Sequence, residues 1–204
     1  IMQYHSEYNP QRHPSRDRTP WHVQAQTGDA EVIPLFRFFA NLRMNLLPHI
    51  WSEAIKASQS GLPLMRALAL EFPHDAQVAA FPYQYLFGEN LLVAPVVWEG
   101  CSAVEVYLPA GEWYDFWSGE YYQGSTVLRC ATPRNHIPVF VRAGSVVALH
   151  LPASLTLGDG VGNALEPAQN LVFRTYPACD KATFAWFREP ALPPQLFEIA
   201  GIVR

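Results

Sequence analysis

The side chains that could do chemistry gather in two places. Near the start, His5 ends a short apolar-leaning run, residues 1–5, and Glu7 follows two positions later. On a continuing strand that spacing puts both on one face, where Glu7 would be positioned as an acid or base. A histidine can donate and accept hydrogen bonds, although the ordinary reading of His5 is a buried side chain satisfied by a backbone partner. Arg16, Asp17 and Arg18 follow. Arginine forks suit carboxylates and sulfonates, and the same three residues could instead form an ion-pair cluster. The second place is an aromatic-rich hairpin carrying Trp113, Tyr114, Phe116, Trp117, Tyr121 and Tyr122. Such rings can stack on the C–H faces of sugars, or fill a core where each buries a large area.

Other chemistries find no support. Cys101, Cys130 and Cys179 are widely spaced, and His22, His49, His74 and His150 are dispersed. Neither set has the spacing of a disulfide framework or a zinc site. There is no glycine-rich phosphate loop, no GxSxG elbow and no HExxH, so neither a metal nor a cofactor is expected. Lys and Arg total 14 against 18 Asp and Glu, a net charge of −4. Without a basic stripe, nucleic acid is not an expected partner. No apolar run reaches the ~18 residues of a membrane span and no signal-peptide pattern opens the chain. A soluble, cytoplasmic protein without a membrane partner is the expectation.

The elements that must position these residues change character near residue 60. Over residues 34–60, Leu35, Phe39, Leu42, Leu46 and Ile50 recur at spacings of three and four, with Phe36, Ala40 and Leu47 widening the stripe. Asp29 and Glu31 precede this helix, Pro34 fits its first turn, and Pro48 should kink or restart it. Gly61 and Pro63 close it. Arg43 and Arg66 should brace helix ends or pair with Glu53 and Glu71. Beyond residue 83, short runs rich in Val, Tyr, Phe and Trp alternate with turn residues, as in an antiparallel sandwich. Residues 91–97, 104–108, 113–116, 126–130, 139–141, 146–149, 171–176 and 183–187 read as strands. Gly111 and Gly144 suit tight turns.

Five blocks stand in order: FRFFANLRMNLLP at 36–48, GLPLMR at 61–66, LLVAPV at 91–96, VYLPAGEWYDFW at 106–117 and IPVFVRAG at 137–144. Together they resemble the last third of a glycoside hydrolase family 31 enzyme. The resemblance implies retaining hydrolysis of an α-glycosidic bond, with α-glucosidases and α-xylosidases among the relatives. One aspartate attacks the anomeric carbon, a second protonates the leaving oxygen, and water later frees the intermediate. Both aspartates would lie before Ile1, so no catalytic residue is expected here and the chain alone should be inactive; Glu7 is not the missing acid. The Tyr4-His5-Ser6 segment resembles a barrel strand that delivers a histidine to the sugar, making His5 a substrate-binding residue. The Arg16–Trp21 segment resembles a loop pinned beneath Trp21.

The expected fold is an α+β fragment. Residues 1–82 would form the end of a (β/α)8 barrel, its last strand and helices, and residues 83–150 a proximal antiparallel β-sandwich. Residues 151–204 would supply further strands of that sandwich or begin a distal β domain. Its expected partners are an α-linked oligosaccharide or glycoside substrate and the missing N-terminal and barrel parts of the same enzyme. The alternative is a non-catalytic carbohydrate-binding or scaffold protein.

Overall fold

The computed structural model describes residues 19–162, 171–178, 181–187 and 193–200. His5, Glu7 and the Arg16–Asp17–Arg18 cluster lie outside the described residues. The chain divides into two compact units: residues 1–47 with 150–171, and residues 48–149 with 172–204.

In the first unit, α1 (Pro20–Thr27) begins at the end of the Arg16–Trp21 segment. Thr19 caps it, its side chain accepting from the His22 N–H at 3.3 Å, and Pro20 occupies the first turn. A proline there gives up an N–H that has no helical partner anyway, so Pro20 both ends the loop segment and starts a helix. Helix α2 (Val32–Asn45) follows. The Asp29 side chain accepts from the Glu31 N–H at 3.0 Å just ahead of it. The predicted stripe is only half-buried at Leu35, Phe36, Phe39, Leu46 and Leu47, while Leu42 and Asn45 are buried. Asn41 donates to the Gly158 carbonyl at 2.9 Å, and Asn45 donates to the His150 and Asp159 carbonyls at 3.0 and 3.2 Å. The Gly158 N–H returns a 2.8 Å bond to Asn45 Oδ1.

Helix α3 (Leu47–Ser60) restarts at the predicted proline and ends at Gly61, whose N–H reaches the Ala57 carbonyl at 2.9 Å. In the second unit, strands β1 (Met65–Ala67), β2 (Tyr85–Phe87), β3 (Leu91–Val93), β5 (Glu112–Asp115), β6 (Tyr121–Gln123) and β8 (Val139–Arg142) build a six-stranded sheet ordered β1-β2-β3-β8-β5-β6. Every pairing in it is antiparallel. Strands β4 (Ala103–Leu108) and β7 (Thr126–Ala131) form an antiparallel ribbon. The short helix α4 (Leu68–Glu71) and a 3-10 turn (Ala76–Ala80) lie between β1 and β2 in the chain.

Leu86, Leu92, Trp113 and Phe140 of the sheet meet Val106, Tyr107 and Leu108 of the ribbon in one apolar cluster with Leu68, Val78 and Ala94. Alternation along β4 holds for Val106, Leu108 and the exposed Glu105, but Tyr107 is buried on the outer side. Phe81 stacks on it at 5.5 Å, and its hydroxyl donates to Asp75 at 2.6 Å. Covering by a neighbouring turn, which period-two patterning does not register, explains the difference.

A four-stranded sheet, ordered β10-β9-β11-β12, holds β9 (Ser145–His150), β10 (Leu171–Tyr176), β11 (Lys181–Trp186) and β12 (Gln195–Ala200). In it β9 pairs in parallel with β11, at Ser145 and Thr183, and β11 pairs antiparallel with β12. The chain is thus an α+β protein with mostly antiparallel sheets.

Candidate functional site: a buried polar seam beside an aromatic core

Helix α3 buries polar side chains where apolar ones would be expected. His49, Ser52 and Glu53 are all completely buried, with Ile55 next to them. Spacings of three and four keep His49, Ser52, Glu53 and Lys56 on one face of the helix. Glu53 is answered on both oxygens: Lys56 Nζ donates to Oε1 at 2.8 Å, and the Glu89 backbone N–H donates to Oε2 at 2.9 Å. Lys56 also reaches Glu89 Oε2 at 3.2 Å. A buried carboxylate needs such partners, because its desolvation is otherwise uncompensated.

The turn between β2 and β3 is shaped to admit this carboxylate. Gly88 has φ +68°, and a Cβ added there would lie 2.5 Å from Glu53 Oε2. Glycine is therefore required both for its left-handed backbone and for the approach of the acid. Burial lowers the Lys56 pKa, but the charges and hydrogen bonds of Glu53 and Glu89 outweigh that and hold it above its usual value. Burial pushes His49 down to about 4, against the pull of Glu53 and assisted by Lys56. At neutral pH His49 is thus uncharged. Ser52 Oγ donates to the Pro48 carbonyl at 3.0 Å and accepts from the Phe187 N–H at 3.4 Å.

A second ionic group flanks the core. Arg66, 2 % exposed, places Nη1 2.6 Å from Glu71 and Nε 3.0 Å from the Pro63 carbonyl. The expected Arg66–Glu71 pairing is present, while Glu53 takes Lys56 rather than Arg43. Arg142 lies over Phe72 and Trp113, 5.3 and 5.7 Å from the ring centroids, an arrangement that favours the cation through the ring faces.

The aromatic hairpin supplies core at Trp113 and Phe116, while Tyr114, Trp117 and Tyr122 are half-buried. Trp113 and Phe116 are fully buried; Trp113 Nε1 donates to the Pro109 carbonyl at 2.9 Å and Trp117 Nε1 to the Ile137 carbonyl at 2.8 Å. Tyr114 donates to the Pro177 carbonyl at 2.8 Å, and His136 packs against Trp117 at 4.8 Å. Tyr121 is exposed, and its hydroxyl donates to Glu112 at 2.7 Å. Cys101 and Cys130 are free thiols, with Cys130 pushed up to about 11 chiefly by burial. Among the described residues no cluster of His, Cys, Asp or Glu could hold a metal, and no helix is long and apolar enough to cross a membrane.

The family model described as the glycosyl hydrolase family 31 C-terminal domain matches residues 61–147, taking in Arg66, the Gly88 turn, the aromatic hairpin and four of the five blocks. The chain belongs to glycosyl hydrolase family 31. It is 43 % identical over 186 residues to an isomaltosyltransferase of Sporosarcina globispora, covering 91 % of this chain and 17 % of that protein. It is 46 % identical over 143 residues to a 1,3-alpha-isomaltosidase of Kribbella flavida, covering 70 % and 20 %. A cycloalternan-forming enzyme from Listeria monocytogenes, solved in complex with a pentasaccharide substrate, superposes with a TM-score of 0.91 at 35 % identity. That match covers 99 % of this chain and 19 % of that one. The chain therefore spans about a fifth of the length of these family 31 relatives, which act on α-linked sugars.

The seam was missed by sequence reasoning. Its signal is a Glu53 spaced four residues from His49 on a face that also carries Ser52, together with a Gly88-Glu89 pair after an apolar run.

Proposed function

We propose that this chain is the C-terminal part of a retaining family 31 enzyme acting on α-linked glucosyl oligosaccharides. The observation that carries the reading is the family match over residues 61–147 in a chain about a fifth as long as its relatives. On this reading residues 1–82 close a (β/α)8 barrel, residues 83–150 form the proximal sandwich, and residues 151–204 continue it or open a distal β domain. The half-buried stripe Leu35, Phe36, Phe39, Leu46, Leu47 and Ile50 supports a helical layer with further apolar surface to cover, worth ~25 cal/mol per Å² once buried. The two catalytic aspartates, ~5–5.5 Å apart in retaining enzymes, belong to the remainder of the enzyme. His5 contacts a sugar hydroxyl, and the enzyme works in the cytoplasm.

The seam's role is positional. Glu53 locks α3 to the β2–β3 turn through a backbone N–H and a lysine, fixing the helix on which barrel closure depends.

Transfer is favoured over hydrolysis as the outcome at the anomeric carbon. The glycosyl-enzyme intermediate can be opened by a sugar hydroxyl in place of water. The isomaltosyltransferase covers 91 % of this chain and the cyclising enzyme 99 %, against 70 % for the isomaltosidase. Incubating the full-length enzyme with an isomaltosyl oligosaccharide and resolving the products tests this: transfer gives longer or cyclic saccharides, and hydrolysis gives free isomaltose. The 204-residue chain alone should release nothing; release of sugar by it would overturn the assignment of the aspartates.

A further inference from the structure

In the second unit, an open cleft of about 460 Å³ lies apart from the seam, within the ~300–1,000 Å³ range of small-molecule sites. Strand β4 lines it with Ala103, Val104 and Glu105. Phe81 and Tyr83 line it from the segment before β2, and Pro95 and Trp98 from the segment after β3. Tyr83 and Trp98 are 55 % and 67 % exposed, with ring centroids 6.5 Å apart and planes at 89°. One ring can thus lie under a bound group while the other stands as its wall. Across the ribbon, Arg129 is directly opposite Glu105, and both are exposed.

We propose that this cleft is an accessory binding site for a neutral α-glucan chain, outside the active site. Pyranose rings present an apolar C–H face ringed by hydroxyls. The perpendicular aromatics meet the face by stacking, while Glu105, which lines the cleft, accepts from hydroxyls. A carboxylate opposed by a guanidinium has no net charge to offer, which suits an uncharged polyol better than a phosphate or an acidic peptide. Because both rings are more than half exposed, the cleft is open enough for an internal segment of a long chain. The identity of the sugar rests on the function proposed above; the cleft itself does not.

The test uses the full-length enzyme run on native gels containing dextran or soluble starch, comparing wild type with Trp98→Ala, Tyr83→Ala and Glu105→Gln. The expected result is retardation by glucan that weakens at least fivefold in Trp98→Ala and Tyr83→Ala, with thermal midpoints unchanged because both side chains are exposed. Retardation equal to wild type overturns the proposal. So does acrylamide quenching that shows no accessible emission lost in Trp98→Phe, since another part of the enzyme would then cover the cleft. Turnover of a short isomaltosyl substrate by the unaltered enzyme is read separately. Turnover with Trp98-independent retardation removes the cleft and keeps the function. Trp98-dependent retardation without turnover keeps the cleft and removes the function.

Discussion

Replacing Gly88 by alanine should unlock α3 from the β2–β3 turn, and two terms set the size of the effect. Holding alanine at φ +68° costs ~1–2 kcal/mol. The added Cβ, 2.5 Å from Glu53 Oε2, 2.7 Å from Cγ and 2.8 Å from Cδ, meets the root of the side chain as well as its tip. Glu53 must therefore shift and lose its bonds from Lys56 and the Glu89 N–H. Breaking a buried ion pair costs ~3–5 kcal/mol. A total of at least about 4 kcal/mol corresponds to roughly a thousandfold more frequent local opening, at 1.4 kcal/mol per factor of ten. Amide hydrogen exchange in the peptide carrying Glu89 reads that opening. The same change made in a Glu53→Ala background meets no carboxylate, so only the backbone term remains, about tenfold. The difference between the two backgrounds measures the coupling. If Gly88→Ala leaves exchange at the wild-type rate, or raises it equally in both backgrounds, the account of the turn is wrong.

Two further outcomes are expected. His49, held near 4 by burial, binds fewer protons folded than unfolded between pH 4 and 6.5, so stability should fall as pH drops through that window. The loss is up to about 3 kcal/mol, at 1.36 kcal/mol per pKa unit; thermal midpoints of wild type and His49→Gln should converge toward pH 4, and parallel curves would contradict this. Glu71→Ala strands the buried Arg66 and should cost about 2–3 kcal/mol in denaturant titration. That is less than a fully buried pair because the Glu71 side chain is 23 % exposed, and Arg66→Met together with Glu71→Ala should recover most of it.

What could be read in the sequence was what local chemistry determines. The Gly61 cap, Pro34 in a first turn, the restart of the helix near Pro48 and the alternation of Val106 and Leu108 all follow from neighbours a few residues away. Helix α1 was not legible because Pro20 reads as part of a loop until Thr19 is recognised as its cap. The aromatic hairpin was legible as core or as stacking platform, and Trp113 and Phe116 prove to be core; the two readings differ only in what covers a ring, which spacing does not encode. The Glu53 seam depends on Glu89, 36 residues away, and no local pattern encodes that meeting. His5, the one substrate contact implied by resemblance, rests on the family alone.

The asparagine bonds of α2 carry a consequence for synthesis. Asn41 and Asn45 are held by the carbonyls of His150, Gly158 and Asp159, which follow them in the chain by 105 to 117 residues. At ~5–20 residues per second, a ribosome makes α2 roughly 5 to 23 seconds before its polar partners emerge. During that interval the intervening strands are released first. In the nascent chain the α2 segment is thus complete for that interval while the carbonyls that hold its two asparagines are still to be made.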